Sequence, residues 1–272
     1  MSKIWDFITS KEILKKSYVW IILIIFYIPI IFGTVYSFNA ESTKGDVSLN
    51  AWNKTTWAGW ANLFEDELIN KFINSFIIAM SVSLIVIVIS LITVYSIWKQ
   101  RSRMVKSVIN GTSSIPLINP DIITAVGLSI VLSILFGSLL ASEEGLWRAI
   151  VSHSIMCLPY GILFMLPRSD KFSQSLMEAS QDLGYGPFKT WFKTYFIYMM
   201  PSIVFVFIIT TFLSFDDFII TRIVSNTETI GTALYEGKFK TWSLALAAIM
   251  LLLVIIGNLV YFISKAKRRG EK

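Results

Sequence analysis

Three carboxylates interrupt long apolar stretches of this sequence, and their chemistry needs an explanation first. Asp216 and Asp217 are adjacent within residues 194–221, and Asp121 lies within residues 107–142; both stretches are otherwise free of charge. A charged side chain at membrane depth costs about 2.5–3.5 kcal/mol on insertion scales and usually serves a function. Carboxylates beside aromatic rings suit organic cations, through charge and cation–π attraction. Three aromatic rings lie near the acidic pair: Phe212, Phe215 and Phe218.

Structural interpretations of the same carboxylates are also open. On one continuous helix, Asp216 and Asp217 would point about 100° apart. We therefore expect one of them to face a pathway and the other to pair or to line a helix contact. The pair could instead lie at the outer end of its span, hydrated or bound to Arg222. Asp121 follows Pro120, and both proline and acids are favoured at the start of a helix, so a capping role is equally open.

The single histidine and the single cysteine do not support a metal site or a disulfide. His153 and Cys157 are four residues apart on one helical face, but two ligands are too few for zinc, and one cysteine excludes a disulfide framework. We expect His153 to be a packed residue that hydrogen-bonds across helices. The sequence has no P-loop, zinc-protease or serine-hydrolase motif, so we predict no catalytic residue and no bound cofactor in this chain.

The composition is that of a membrane protein. Of the 272 residues, 54% are hydrophobic and 15% are charged, which excludes a soluble domain and a disordered chain and disfavours a nucleic-acid-binding one. Runs that are apolar on every face favour helices over barrel strands. The sequence predicts an all-α membrane protein with one domain over residues 1–272. Its six transmembrane helices are predicted at about 18–38, 72–98, 110–137, 148–167, 197–221 and 241–264.

Basic residues predict the orientation. The termini and the loops on their side carry 17 Lys and Arg residues, whereas the opposite loops carry 7. The more basic side faces the cytoplasm, so both termini are predicted to be cytoplasmic. The first stretch is too long for a cleaved signal peptide, so we expect it to remain a span. The outer loop, about 39–70, contains three tryptophans and several acids; it is either a headgroup-level anchor or a platform for a partner.

The cytoplasmic loop at about 168–196 has helical patterning. Apolar residues recur at helical spacing on one face: Phe172, Leu176, Ala179 and Leu183. Gly184 is expected to end this helix, and Gly186 with Pro187 to make a turn before a second short helix, 188–196. A helix lying on lipid would carry Lys and Arg on its polar face. This one carries glutamines and acids, which favours a protein groove.

The loop resembles the EAA loop of ABC-importer permeases. Glu178-Ala179-Ser180, Gly184 and Pro201 carry the resemblance, with Ser180 in place of the usual second alanine. Thr194 and Ile197 stand where the family usually has Ile and Pro. Further matches extend over nearly the whole chain: Ser37-Phe38-Asn39, Asn119-Pro120-Asp121-Ile122, Ser152-His153, Cys157-Leu158-Pro159 and Asp216-Asp217. Within that family, the chain is similar to spermidine/putrescine permeases of the PotC type.

The resemblance implies a type I ABC-importer permease fold, in which the loop couples the permease to a cytoplasmic ATPase. The implied ATPase-coupling residues are Glu178, Ala179, Ser180, Asp182, Leu183, Gly184 and Pro187. The candidate substrate-pathway residues are Asp216, Asp217, Asp121 and Phe215. The implied partners are a second permease subunit, an ATPase dimer that binds ATP and Mg, an extracytoplasmic substrate-binding protein and the lipid bilayer. The expected function is polyamine import; the alternatives are an ABC permease for another small solute and a stand-alone secondary cation transporter.

Overall fold

The computed structural model describes residues 11–48, 50–100, 121–137, 145–236 and 238–270, with residues 104, 107 and 111. The helices, numbered along the described chain, are α1 (Lys11–Tyr36), α2 (Ala58–Ala61), α3 (Asp66–Lys99), α4 (Asp121–Phe136), α5 (Leu146–Asp170), α6 (Gln174–Asp182), α7 (Pro187–Thr190), α8 (Ile197–Phe215), α9 (Ile219–Val224), α10 (Ile230–Tyr235) and α11 (Thr241–Gly270). A 3₁₀ turn covers Asn62–Phe64, and a wide π-helical turn, Trp191–Phe196, joins α7 to α8. The chain forms two units, one up to Ile69 and from 238 onward, the other over Asn70–Glu236.

Apolar helices occupy the predicted spans. Four of them are long and apolar enough to cross a membrane: Glu67–Lys99, Leu146–Asp170, Pro187–Phe215 and Thr241–Val260. Shorter apolar helices, Ile21–Tyr36 and Asp121–Phe136, fall within the predicted first and third spans. Residues 112–120, which make up most of the first part of the third predicted span, lie outside the described residues. The chain is therefore a multi-pass helical membrane protein, and the count of six crossings stays a prediction.

The fifth predicted span, 197–221, is not one helix, and the prediction was wrong on this point. Helix α8 ends at Phe215, and α9 begins only at Ile219. We call the intervening residues 216–218 the acidic break. The argument that Asp216 and Asp217 diverge by one helical step does not apply, because Asp217 caps the start of a new helix.

The larger unit packs around α3. Its buried core combines one face of α3 with α5, the π-helical turn and α8. A Cβ atom on Gly161 of α5 would lie 2.3 Å from Ser90 Oγ and 2.7 Å from Val86 Cγ1, so only glycine permits this approach of α3 and α5. The Ser83 hydroxyl of α3 lies 2.8 Å from the Thr211 hydroxyl of α8. Close backbone contact and paired hydroxyls are how apolar helices associate where lipid offers no hydrophobic contrast.

In the smaller unit, α1 and α2 pack on α11. The buried Asn39 side chain orders the connection after α1, because its amide nitrogen donates to Ser48 O (3.2 Å) and Ala51 O (2.9 Å). A hydrogen bond from the Ser42 hydroxyl lowers the pKa of Asp46 in the same connection.

An aromatic group follows that connection. Trp60 Nε1 donates to Ser37 Oγ (3.1 Å), and the Phe38 ring packs against Trp60 and Trp57. Trp57 remains 68% exposed. An exposed tryptophan suits both an anchor and a platform, so both interpretations of the outer loop stay open.

Candidate functional site

The two carboxylates of the acidic break have different surroundings. The Asp217 carboxylate accepts hydrogen bonds from the backbone N–H groups of Ile220 (3.0 Å) and Thr221 (3.1 Å). It thereby caps α9, whose first N–H groups have no partner within the helix. The Asp217 side chain is only 10% exposed, whereas Asp216 is exposed. One acid of the pair is thus bound inside the protein and the other is exposed, and a pathway role for either stays a prediction.

His153 of α5 lies behind Asp217 and is fully buried. Its Nδ1 atom lies 2.9 Å from the Ser214 hydroxyl of α8. Its Nε2 atom lies 2.9 Å from the Thr221 hydroxyl of α9 and 3.3 Å from the Asp217 carboxylate. The prediction of a packed histidine that bonds across helices is confirmed. The sequence did not indicate that its partner is Asp217.

Helix α10 closes the break from another side. A Cβ atom on Gly231 would lie 2.5 Å from the backbone oxygen of Asp217, so the two backbones are in direct contact. The backbone N–H of Ile230 donates to the Ser75 hydroxyl of α3 (2.9 Å). An ion pair between Lys71 and Glu228 (3.2 Å) joins the same two segments. The conformation of the break is therefore fixed by groups from α3, α5, α9 and α10.

The remaining pathway candidates lie around the break. Asp121 begins α4 and is exposed. Helix α4 packs along α9, with the Ser129 hydroxyl donating to Ile223 O (3.3 Å). The position of Asp121 in the first turn of α4 fits a capping role, and its exposure fits a pathway role.

The contacts of the aromatic rings and of Arg222 differ from those expected around the acidic pair. The Phe215 ring packs against Phe72, with 5.5 Å between centroids, rather than against a carboxylate. Phe218 stacks on Tyr235 at 5.1 Å. Arg222 forms an ion pair with Glu236, the residue that follows α10, and not with the acidic pair.

The loop segment, residues 168–196, contains the second predicted site. Ser173 caps α6, its hydroxyl accepting from the Ser175 backbone N–H (3.3 Å). Gly184 has a φ of 81° and ends the helix, as predicted. Its N–H donates to Gln181 O (2.8 Å), and the Tyr185 N–H donates to Ser180 O (3.3 Å). These bonds form a glycine C-cap that an L side chain would strain.

Helix α6 faces the protein with a different side from the one its apolar spacing suggested. Phe172 is buried but precedes the helix, and Ser180 is the buried helical residue. The apolar residues at the predicted spacing point outward: Leu176, Ala179 and Leu183. Leu183 is 75% exposed and Phe188 of α7 is 80% exposed. Pro187 begins α7 as its first residue, and Glu178 and Asp182 are exposed around this apolar surface.

An aromatic cluster beneath α6 joins the loop segment to the end of α3. The Phe172 ring packs against Trp98 (5.2 Å) and Tyr195 (5.1 Å). Trp98 Nε1 donates to Phe172 O (2.9 Å), and the Ser169 hydroxyl lies 2.7 Å from the Tyr195 hydroxyl. A cavity of about 540 Å³ lies beside this cluster, between α6 and the end of α3. The loop segment is thus firmly attached on one side and uncovered on the other.

Comparison with known proteins identifies the family. Residues 97–269 match the family described as "Binding-protein-dependent transport system inner membrane component". The chain belongs to this family. It is 30% identical over 270 residues to the "Spermidine/putrescine transport system permease protein PotC homolog" of Mycoplasma genitalium, covering 96% of this chain and 94% of that protein. The corresponding protein of Mycoplasma pneumoniae is 31% identical, covering 97% of this chain and 94% of that protein.

More distant relatives extend the same comparison. The permease is 27% identical over 216 residues to the PotC spermidine/putrescine permease protein of Escherichia coli K12, covering 79% of this chain and 77% of that one. Its fold matches the crystal structure of a bacterial ABC transporter involved in the import of the acidic polysaccharide alginate. The TM-score is 0.61, the identity is 13%, and the match covers 96% of both chains. The chain is thus a permease subunit of an ABC importer, and its family has a transport role rather than a catalytic one.

Proposed function

We propose that this permease imports polyamines such as spermidine and putrescine. The relatives at 27–31% identity are named for spermidine/putrescine transport. The observation that carries the proposal is the exposed Asp216 beside a bound Asp217, with an exposed Asp121 at the start of α4, which packs along α9. A polyamine carries several ammonium groups on an apolar chain, and carboxylates with aromatic neighbours satisfy both features. In the structure Phe215 packs against Phe72, and Phe218 stacks on Tyr235 beside the break.

In this proposal, the chain has six crossings with both termini in the cytoplasm and forms half of the translocation pathway. A second permease of similar fold supplies the other half, and an extracytoplasmic protein delivers the substrate. ATP and Mg bind to the partner ATPase dimer, and this chain holds no cofactor. Alternating access then arises from rocking of the helices around the central path.

Helix α6 is the coupling element of the proposal. Its uncovered face presents Leu183, with Phe188 beside it, and its rim presents Glu178 and Asp182. Apolar side chains this exposed on a cytoplasmic loop are suited to a protein cleft. The aromatic cluster around Phe172 ties α6 to α3 and to the turn before α8, so a push on the helix reaches the membrane segments.

The roles of the other coupling residues follow from their positions. Ala179 and Ser180 are small, and Ser180 is buried with its hydroxyl 3.3 Å from the Thr190 hydroxyl. Gly184 and Pro187 set the end of α6 and the start of α7. We propose that these residues fix the angle at which the uncovered face of α6 meets the ATPase.

Two alternatives differ in testable ways. An ABC permease for another small solute would keep the coupling helix and change the substrate; the fold is compatible with this, since the alginate transporter handles an acidic polysaccharide. A stand-alone secondary cation transporter would use the acids as cation or proton sites and would need no ATPase, which conflicts with the family match.

The decisive experiment is uptake of labelled spermidine into vesicles that contain the assembled importer, with and without ATP. We expect ATP-dependent uptake that is lost in Glu178→Arg, with the permease still in the membrane. Gln174→Ala is the matched control, because Gln174 donates to Glu178 Oε1 (2.9 Å) from the previous turn and lies on the same exposed surface. Uptake without ATP would identify a secondary carrier. ATP-driven uptake of a different solute would remove the polyamine assignment and keep the coupling.

A further inference from the structure

The imidazole of His153 is the point where both sides of the acidic break meet. One ring nitrogen contacts Ser214 in the last turn of α8, and the other contacts Thr221 in the first turn of α9. The same nitrogen lies 3.3 Å from Asp217, between the two helices. These four side chains come from three helical segments and the break, and the imidazole is fully buried.

A histidine suits this position for a geometric reason. The two ring nitrogens are held a fixed distance apart and point in diverging directions, and a hydroxyl can donate or accept as the tautomer requires. An apolar substitute would leave the hydroxyl of Ser214 and one side of Asp217 without this partner in a buried setting. Unpaired buried polar groups are costly, so the break would rearrange to recover hydrogen bonds.

We propose that His153 is a positioning residue: it keeps the acidic break in the conformation in which Asp217 is buried and bonded to α9. It holds Asp217 on the cap of α9, and this leaves Asp216 as the carboxylate of the pair that faces outward. His153 itself does not contact substrate. The proposal rests on the proposed function only in assigning the substrate to Asp216.

Cysteine labelling tests the positioning without relying on transport. The chain has one cysteine, Cys157, which is buried. In a Cys157→Ala chain, Ile220→Cys places a thiol in the first turn of α9, three residues after Asp217, at a position that is 0% exposed. The probe is a membrane-impermeant cationic methanethiosulfonate, applied to the assembled importer. We expect slow labelling with His153 present and labelling about tenfold faster in His153→Ala, because local opening exposes the thiol.

Two controls separate the break from the rest of the protein. Ser154→Ala changes the neighbouring residue of α5, whose hydroxyl donates only within its own helix to Ile150 O (2.7 Å), and should leave labelling unchanged. Ala79→Cys reports on the buried face of α3 and should stay protected in His153→Ala. Equal labelling at Ile220→Cys with and without His153 would overturn the proposal. So would labelling of Ala79→Cys, because the effect would then be general unfolding.

Uptake kinetics connect the break to the substrate. His153→Gln can retain a hydrogen bond to one hydroxyl, so we expect an intermediate labelling rate and a several-fold rise in the KM for spermidine with little change in the maximal rate. A changed labelling rate with an unchanged KM would support the positioning role and contradict the placement of Asp216 on the pathway. An unchanged labelling rate with a raised KM would contradict the positioning role.

Discussion

The acidic break and the loop segment differ in where their bonding groups find partners. At the break, the side chains of Asp217 and His153 are bonded to neighbouring segments, Gly231 packs directly against the Asp217 backbone, and Asp216 is exposed. In the loop segment, the underside is fixed by Phe172 and its aromatic neighbours, while the apolar upper face is uncovered. The described bonds of the break lie within this chain, whereas the loop segment leaves an apolar face exposed.

This difference indicates where a substitution will be felt. A change at the break alters the permease itself, because its bonds are buried and intramolecular. A change on the exposed face of α6 should spare the isolated permease and weaken its assembly. Stability and partner binding can therefore be measured separately, and they should respond to different residues.

The largest effect is expected at Phe188, if the exposed face of α6 and α7 is buried by the ATPase. Burying a phenylalanine contributes about 1.5–3 kcal/mol, so Phe188→Ser should weaken ATPase binding at least about tenfold. The melting temperature of the isolated permease should not change, because the side chain is 80% exposed. Co-purification and titration with the ATPase measure the binding. Phe188→Leu should restore most of it, and equal binding by all three chains would show that this face is not the interface.

A smaller effect is expected where the loop segment depends on its backbone. Gly184 has a φ of 81°, and a left-handed conformation costs a non-glycine residue about 1–2 kcal/mol. Gly184→Val should tilt or fray the end of α6 and reduce ATP-driven uptake about tenfold, with the permease still in the membrane. Gly186→Ala is the control, since Gly186 has a φ of −66° and open space around it. Similar uptake by the two variants would mean that the end of α6 does not matter for coupling.

The smallest effect is expected at the break, and it separates its two acids. Asp217→Ala removes a helix cap, worth about 0.5–2 kcal/mol, and should lower the melting temperature of the detergent-solubilised permease. Asp216→Ala should leave the melting temperature unchanged, since the structure assigns its carboxylate no hydrogen bond among the described residues. Thermal unfolding monitored by fluorescence measures both. Equal losses in the two variants would contradict the division between a bound and an exposed acid.

The sequence alone predicts the helices well, because stretches without charge locate them and Gly184 marks where α6 ends. It also predicts a buried, bonded His153. It does not predict the break in the fifth span, because residues 194–221 are continuously apolar apart from the two acids. The break depends on the Asp217 side chain reaching backbone groups three and four residues ahead, and on a glycine fourteen residues away in α10.

The sequence also does not predict whether the apolar face of α6 points into the protein or outward. Periodicity shows that Leu176, Ala179 and Leu183 share a side, but not whether that side is covered. The answer depends on where Phe172 and Ser180 find partners, in Trp98, Tyr195 and Thr190. Those contacts join segments far apart in the chain, or across a turn whose geometry only the fold determines.

The wide turn at Trp191–Phe196 has a consequence for the rotational phase of the loop relative to the membrane helix. Because a π turn holds about one residue more than an α turn, everything before it is rotated by about 100° relative to α8. Deleting a single residue there would restore ordinary helical winding and swing the face of Phe188 around the helix axis. The orientation of the exposed face that carries Phe188 thus depends on the number of residues in this turn as well as on their side chains.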